Sequence, residues 1–103
     1  MKPLYMMLLF YASVRENQPL IADAIKTVNA LSKGDYERLG YGEHMCVIGF
    51  TSDQPLAAIK ADLAPISGEK LHALVIEVAA IVGGSMYEEA WRWLGRHIGP
   101  AKK

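Results

Sequence analysis

The sequence predicts an α+β sandwich, in which an antiparallel sheet carries two helices on one face and a further helix follows near the C-terminus. Two observations lead to this fold class. Residues 17–22 and 53–58 are alike, because each segment has an Asx residue followed by Gln-Pro-Leu and ends in Ala. Each segment also follows an apolar run typical of a buried strand, residues 4–12 in one case and 45–50 in the other. Two tandem strand–helix–strand units in the order βαββαβ explain both observations, and this order is that of the ferredoxin-like fold.

The first strand is predicted over residues 4–12, which carry no charge and include three aromatic side chains. The run stops abruptly at the polar residues that follow Ala12. An apolar run of this length behind Lys2 also has the size of a signal-peptide core, so a secretory leader is the alternative. We expect the strand, because the internal repeat requires one at this place.

Each repeated segment is expected to begin a helix, with Asn17 or Asp53 as its cap and the proline in its first turn, where the missing N–H costs nothing. The first helix is predicted over residues 18–32 and the second over residues 54–64. Gly34 and Pro65 end them. Apolar residues with helical spacing mark the faces expected to be buried: Ile21, Ala24, Ile25, Val28 and Leu31 in the first helix, and Leu56, Ile59 and Leu63 in the second.

Return strands are predicted over residues 36–41 and 71–82, with Tyr41-Gly42 as the turn of a hairpin into residues 43–50. The last helix is predicted from about residue 85 to 98, because residues 85–88 have capping-box spacing and Gly99-Pro100 stops a helix. Its apolar stripe consists of Tyr87, Trp91, Leu94 and Ile98. A single domain therefore covers residues 1–99, and residues 100–103 form a frayed tail.

Length and composition restrict the class of protein. With 103 residues the chain is long enough for one domain and too short for two. Eleven basic residues balance eleven acidic ones, whereas a protein that mainly coats nucleic acid or an anionic membrane is usually basic. The single cysteine, Cys46, excludes an internal disulfide framework and a multi-cysteine metal site. No apolar run approaches the length that crosses a bilayer, so we expect a cytoplasmic protein with Cys46 reduced and no membrane partner.

Both faces of the predicted sheet are apolar, although the two helices can cover only one of them. Residues 45–48 and 74–76 carry no charge on either face. The second face must therefore be covered by the last helix or by a second subunit. Trp91 and Trp93 point about 200° apart around that helix, so one is expected to face its own domain and the other a partner. We expect a homodimer whose interface includes Val75, Trp91 and Trp93.

Five segments together point to a known group of proteins. They are the apolar first strand, the helix start at residues 17–20, the turn at residues 48–52 (Ile-Gly-Phe-Thr-Ser), the strand at residues 74–78 (Leu-Val-Ile-Glu-Val) and the closing helix at residues 88–94 (Glu-Glu-Ala-Trp-Arg-Trp-Leu). They resemble the small SinR-like hypothetical proteins. These belong with the ferredoxin-like proteins that include the small endonuclease subunit of CRISPR spacer acquisition and the virulence-associated ribonuclease toxins.

The resemblance implies dimerisation and, for several members of the wider group, action on RNA or DNA with a divalent metal. The usual acidic residue of that group ends the first strand in a Tyr-Asp step. The corresponding step in this chain is Tyr11-Ala12. Because this carboxylate is missing, the strongest reason to infer nuclease activity for this chain from the related proteins is lost.

Three acidic residues are candidates for a displaced catalytic site, because metal-dependent phosphodiester cleavage needs hard oxygen ligands. Glu16 lies just beyond the first strand, and Asp53 is expected across the sheet, so either carboxylate can replace the missing one. The alternative is a solvated loop charge for Glu16 and a helix cap for Asp53. Glu77 stands between two apolar residues of a predicted strand, where a buried carboxylate often belongs to a site. The alternatives for Glu77 are an exposed edge strand or an ion pair across a dimer interface.

Other polar residues give weaker indications. His44, His72 and His97 have no metal-ligand spacing, and the first two are expected to lie exposed at strand starts. Cys46 is expected in the core rather than as a nucleophile. The segment Gly83-Gly84-Ser85 offers free N–H groups for a phosphate, or simply allows a sharp turn.

The C-terminal end is basic, with Arg92, Arg96, Lys102 and Lys103 near the two tryptophans. This pattern favours cations placed at a helix C-terminus, where they offset the helix dipole, and the alternative is a nucleic-acid surface. The favoured function is a small homodimer that acts through protein contacts, without catalysis or cofactor. The alternative is a nucleic-acid-binding protein or a nuclease that uses a divalent metal, and a small-ligand sensor is the second alternative.

Overall fold

Four strands form one antiparallel sheet in the computed structural model, which describes residues 2–78 and 88–98. They are β1 (Leu4–Tyr11), β2 (Tyr36–Tyr41), β3 (Met45–Thr51) and β4 (Leu71–Glu77), in the order β2-β3-β1-β4. The helices are α1 (Val14–Ser32), α2 (Leu56–Leu63) with a 3₁₀ turn at Ala64–Ile66, and α3 (Glu88–Ile98). The predicted ferredoxin-like βαββαβ sandwich with an extra C-terminal helix is confirmed. No helix in the described ranges is both long and apolar enough to cross a membrane.

The two uncharged runs of the sequence form the inner strands β1 and β3, which have neighbours on both sides. β2 covers the predicted residues, and β1 is one residue shorter than predicted. β3 begins two residues later than predicted, because Gly42 N donates to Met45 O at 2.8 Å and the turn extends to His44. β4 ends at Glu77, and the last four residues of its predicted range, 79–82, lie outside the described residues.

One face of the sheet, the helix-covered face, packs against α1 and α2. Met7 and Leu9 of β1 are fully enclosed there, as are Ile48 and Phe50 of β3. The helices contribute Ile21, Ala24, Val28 and Leu31 from α1 and Ile59 and Leu63 from α2. Each fully buried large apolar side chain stabilises the fold by roughly 1.5–3 kcal/mol. This face therefore holds the main core.

On the opposite face, α3 covers the part formed by β2, β3 and the start of β1. Trp93 and Leu94 are buried against Leu4 and Leu39. Gly49 makes this contact possible, because a Cβ atom at that position would lie 2.7 Å from Cζ3 of Trp93. The last helix thus folds back onto its own sheet. This is one of the two ways of covering the second apolar face that the sequence predicted, the other being a second subunit.

The remainder of the opposite face is open to solvent. Leu74 is 53% exposed, Ile76 43%, Phe10 39% and Met45 38%. Phe10 pairs with Met45 across β1 and β3, and Leu8 of β1 pairs with Leu74 of β4. We call Phe10, Met45, Leu74 and Ile76 the open apolar patch.

α1 begins one turn earlier than predicted, with Ser13 rather than Asn17 at its N-cap position. Pro19 therefore lies inside the helix instead of in its first turn. The earlier start allows Val14 to pack against the core, which offsets the backbone hydrogen bond that Pro19 cannot donate. The amide of Asn17 is turned back into the first turn, where Nδ2 donates to the Ser13 carbonyl oxygen at 2.8 Å.

α2 begins at Leu56, and the expectation that Asp53 caps it is wrong. Pro55 occupies the N-cap position and no described side chain caps the helix, while the hydroxyl of Ser52 accepts the backbone N–H of Gln54 at 3.2 Å upstream of it. The expectation that Leu56 is buried is wrong. Leu56 is the first residue of α2 and is 54% exposed, whereas Ile59 and Leu63 form the buried face of the helix. The predicted glycine turn at residues 83–85 and the predicted tail at residues 100–103 lie outside the described residues.

Candidate functional site

A cleft of about 460 Å³ lies at the C-terminal end of β1, and several ionisable side chains that could take part in catalysis line it. We call it the β1-end cleft. It is lined by Phe10, Tyr11, Ala12, Glu16, Asn17, His44, Glu69, Lys70 and His72. Glu16 is the one predicted catalytic acid that the structure places there.

Antiparallel pairing explains why these residues meet. β3 and β4 both begin where β1 ends, so the residues near their starts lie beside the last residues of β1. His72 pairs with Phe10 across β4 and β1, and Tyr11 N donates to His44 O at 3.0 Å. Glu16 lies in the first turn of α1, the helix that directly follows β1. The two histidines are distant in sequence, and only the observed pairing of β3 and β4 with β1 brings their positions together.

His44 is held in a defined orientation. Its Nδ1 lies 2.7 Å from the carbonyl oxygen of Ala12, and because a carbonyl oxygen only accepts, Nδ1 carries the hydrogen. In the neutral ring, Nε2 then has the free electron pair. His44 can therefore accept a proton or bind a ligand through Nε2 without giving up its anchor on β1.

Two buried groups form the inner side of the β1-end cleft. The hydroxyl of Tyr11 donates to the carbonyl oxygen of Gly42 at 2.9 Å. Burial raises the pKa of Tyr11 to about 12, with smaller contributions from nearby Cys46 and Tyr41, so the hydroxyl stays neutral at physiological pH. Asn17 Oδ1 is sealed from solvent and accepts no hydrogen bond from any described residue, which leaves a polar atom unsatisfied beside the cleft.

The β1-end cleft has the components of acid–base chemistry. Its lining includes two imidazoles, the carboxylates of Glu16 and Glu69, and the ammonium of Lys70. Within residues 2–78 and 88–98, no three His, Cys, Asp or Glu side chains are grouped so that they could hold a metal ion. The cleft as it stands can move protons and attract a small anion through Lys70.

The other two predicted catalytic acids lie elsewhere. Asp53 follows β3, at the end of the sheet where β1 starts, and pairs with Lys33 at 3.7 Å on the surface. Asp53 and Glu16 are therefore at opposite ends of the sheet, and of these two acids only Glu16 lines the same cleft as Ala12. Glu77 is the exposed last residue of the edge strand β4, which is one of the alternatives that the sequence left open.

The basic C-terminal surface is less basic than the sequence suggested. Arg92 and Arg96 are exposed on α3, but Glu37 of β2 lines the same hollow of about 470 Å³. Trp93 is only 2% exposed and cannot stack on a base. Lys102, Lys103 and the side chain of Trp91 lie outside the described residues.

Two further residues from the sequence analysis, Cys46 and Val75, face the core side of the sheet. Cys46 is fully enclosed in the core, and burial raises the pKa of its thiol, so it has the environment of a packing residue rather than of a nucleophile. Val75, predicted at a dimer interface, points to the helix-covered face and is half-buried there. On β4 it is Leu74 and Ile76 that face outward.

Comparisons with known proteins assign no family to the chain. No protein-family model matches it, and no curated protein matches it. Among solved structures it is similar to the crystal structure of NE2512, a protein of unknown function from Nitrosomonas europaea. The two are 12% identical with a TM-score of 0.38, and the match covers 82% of this chain and 97% of that one. A similarity of this size carries no functional argument, so the function must be argued from the geometry.

Proposed function

We propose that the protein is a homodimer that acts through protein contacts and that the open apolar patch is its interface. One observation carries the proposal: four large apolar side chains on adjoining strands are 38–53% exposed. Single exposed apolar residues are ordinary on a protein surface, whereas a contiguous group of them marks a site of association.

A second copy of this chain is the partner that the surroundings favour. An isologous contact brings the same residues of both copies together, so a charged patch would repel itself. The residues of β1 and β4 that share this face include no Asp, Glu, Lys or Arg: they are Met6, Leu8 and Phe10 on β1, and His72, Leu74 and Ile76 on β4. Among the described strands, β4 also has a neighbour on one side only, which leaves its outer edge for a second sheet.

Sedimentation equilibrium with a charge placed in the patch tests the proposal. Leu74→Glu is expected to weaken association at least tenfold, because dimerisation would bury two carboxylates in apolar surroundings. Leu20→Glu is the matched control, since Leu20 is an exposed leucine on the outer side of α1. A wild-type protein that sediments as a monomer at every concentration, or a Leu74→Glu variant that dimerises like wild type, would rule out this interface.

A second candidate function is cleavage of RNA in the β1-end cleft, and the convergence of Glu16, His44 and His72 favours it. One imidazole can take the proton of a ribose 2′-hydroxyl while the other donates a proton to the leaving oxygen, and Lys70 can offset charge on the phosphate. This candidate needs no metal, in contrast to the metal-dependent nuclease expected from the resemblance.

Labelled single-stranded RNA, incubated with the protein in EDTA, tests this second candidate. Cleavage is expected to persist in EDTA and to fall at least a hundredfold in His44→Ala and in His72→Ala, which is the usual size of a general acid–base contribution. Lys26→Ala changes a distant exposed cation on α1 and is the control. Absence of cleavage, or cleavage that both histidine variants retain, would exclude acid–base catalysis in this cleft.

A further inference from the structure

A second cleft, of about 430 Å³, lies between α2 and β4 on the helix-covered face of the sheet. We call it the α2–β4 cleft. Ile59 and Leu63 form its helical wall, and Ala73 and Val75 form its strand wall. Its size and its mostly apolar walls are those of a pocket for a small molecule. It lies at the far end of the sheet from the β1-end cleft and shares no lining residue with it.

Tyr5 provides the polar group inside the α2–β4 cleft. The residue is 5% exposed, and its ring stacks on Phe50 with the ring centroids 5.4 Å apart. Its hydroxyl makes no hydrogen bond to any described residue and is not sealed from solvent, so it is accessible to a molecule in the cleft. Burial, and secondarily the charge of Glu77, raise the pKa of Tyr5, so the hydroxyl is neutral and can both donate and accept. A ligand in the cleft can displace solvent from this hydroxyl and make a hydrogen bond to it.

Charges of opposite sign stand on the two walls. Glu77 belongs to β4 and is paired in register with Tyr5 of β1, whereas Lys60 belongs to α2. Neither forms an ion pair with a described residue, although both line the same cleft. A cation on one wall and an anion on the other, in a cleft that is otherwise mostly apolar, are complementary to a molecule that carries both charges and an apolar group.

We propose that the α2–β4 cleft binds a small zwitterion with an aliphatic side chain, of the class of the branched aliphatic α-amino acids. Its ammonium group pairs with Glu77, and its carboxylate pairs with Lys60. The Tyr5 hydroxyl makes a hydrogen bond to this polar head. The aliphatic part lies against Ile59, Leu63 and Val75. The site is on the other face of the sheet from the open apolar patch, so it does not depend on the proposed dimer.

Binding of L-leucine, followed by calorimetry and by protein-observed NMR, tests the proposal. Isoamylamine lacks the carboxylate and 4-methylpentanoate lacks the amine, so each is expected to bind at least tenfold more weakly than L-leucine. Glu77→Gln is expected to weaken L-leucine binding at least tenfold. Tyr5→Phe, which keeps the stacked ring and removes only the hydroxyl, is expected to weaken it several-fold.

Control variants separate the cleft from general effects of charge. Glu43→Gln and Lys26→Gln change exposed residues outside the cleft and are expected to bind L-leucine like wild type. Circular dichroism of each variant confirms the fold, and Glu77 is exposed, so its replacement leaves the core intact. The proposal is overturned if L-leucine does not bind, if the two analogues bind as tightly, or if Glu77→Gln binds L-leucine as wild type does.

Discussion

The two faces of the sheet are built from equally apolar strands but meet different surroundings. On the helix-covered face, Met7, Leu9 and Phe50 have no solvent exposure. On the opposite face, neighbours in the same strands, such as Phe10, are more than a third exposed. The difference lies in the covering elements, since two helices lie over one face and α3 lies over only half of the other. An apolar strand therefore shows that a face needs a cover, but not what supplies it.

The largest effect that would test this contrast is a pair of truncations, one on each face. Phe50→Ala is expected to lower the free energy of unfolding by about 3–5 kcal/mol, because it leaves a cavity in a close-packed core. Leu74→Ala is expected to change it by less than about 0.5 kcal/mol at protein concentrations low enough to keep the chain monomeric. Urea denaturation followed by circular dichroism measures both. Similar losses in the two variants would mean that the open apolar patch is covered within the monomer.

The next effect concerns the covered half of the opposite face. Gly49→Ala is expected to destabilise the protein by about 1–3 kcal/mol, because the added methyl group would overlap the ring of Trp93 and push α3 away from the sheet. Tryptophan fluorescence should shift to longer wavelength as Trp93 becomes hydrated. Gly68→Ala is the control, because a Cβ atom at Gly68 meets nothing within 4 Å. An unchanged spectrum and unchanged stability in Gly49→Ala would show that α3 does not depend on this contact.

The burial of Tyr11 on the helix-covered face also predicts that the stability of the protein depends on pH. The pKa of Tyr11 is about 12 in the folded protein and near 10 in an unfolded chain. Between these values the unfolded chain releases the proton while the folded protein retains it, so stability falls as the pH rises from 10 to 12 and is unaffected below 10. The free energy of unfolding is expected to fall by about 1–2 kcal/mol over this range. This is less than a shift of two pKa units corresponds to, because water reaches part of the hydroxyl.

Tyr11→Phe isolates this contribution. The pKa values of Tyr5 and Cys46 are raised in the same direction, so the wild type loses stability at high pH for several reasons. The difference between wild type and Tyr11→Phe in urea denaturation should shrink by about 1–2 kcal/mol from pH 9 to pH 12. A difference that stays constant over this range would mean that Tyr11 titrates as it does in the unfolded chain.

Sequence patterns predicted the fold well because they reflect local conformational preferences and an internal repeat. The two Gln-Pro-Leu segments located both strand-to-helix transitions, and the uncharged runs became the inner strands. The exact helix starts were missed where tertiary packing decided them. The packing of Val14 against the core extends α1 by a turn past Asn17, and α2 begins only at Leu56, with Pro55 rather than Asp53 at its N-cap position.

The candidate sites were harder to predict, because strand pairing creates them. His44 and His72 are neighbours of β1 from opposite sides, a relation that appears only when the register is known. In α3, helical periodicity correctly placed Leu94 in the buried stripe. It could not show that Trp93 faces the sheet, because that orientation is fixed by the gap that Gly49 leaves on β3. Periodicity defines which residues share a side of a helix, while the docking partner decides which side is buried.

The smallest effect tests whether the open half of the opposite face is completed by a second copy. If the dimer forms, each tenfold increase in protein concentration should raise the unfolding free energy per protomer by about 0.7 kcal/mol, half the value of a tenfold change in an equilibrium constant. Leu74→Glu should remove this dependence, whereas Leu20→Glu should keep it. Thermal or urea unfolding across a wide range of concentration measures the slope. A flat slope in the wild type would show that no second copy covers Phe10, Leu74 and Ile76, and that the proposed interface does not form.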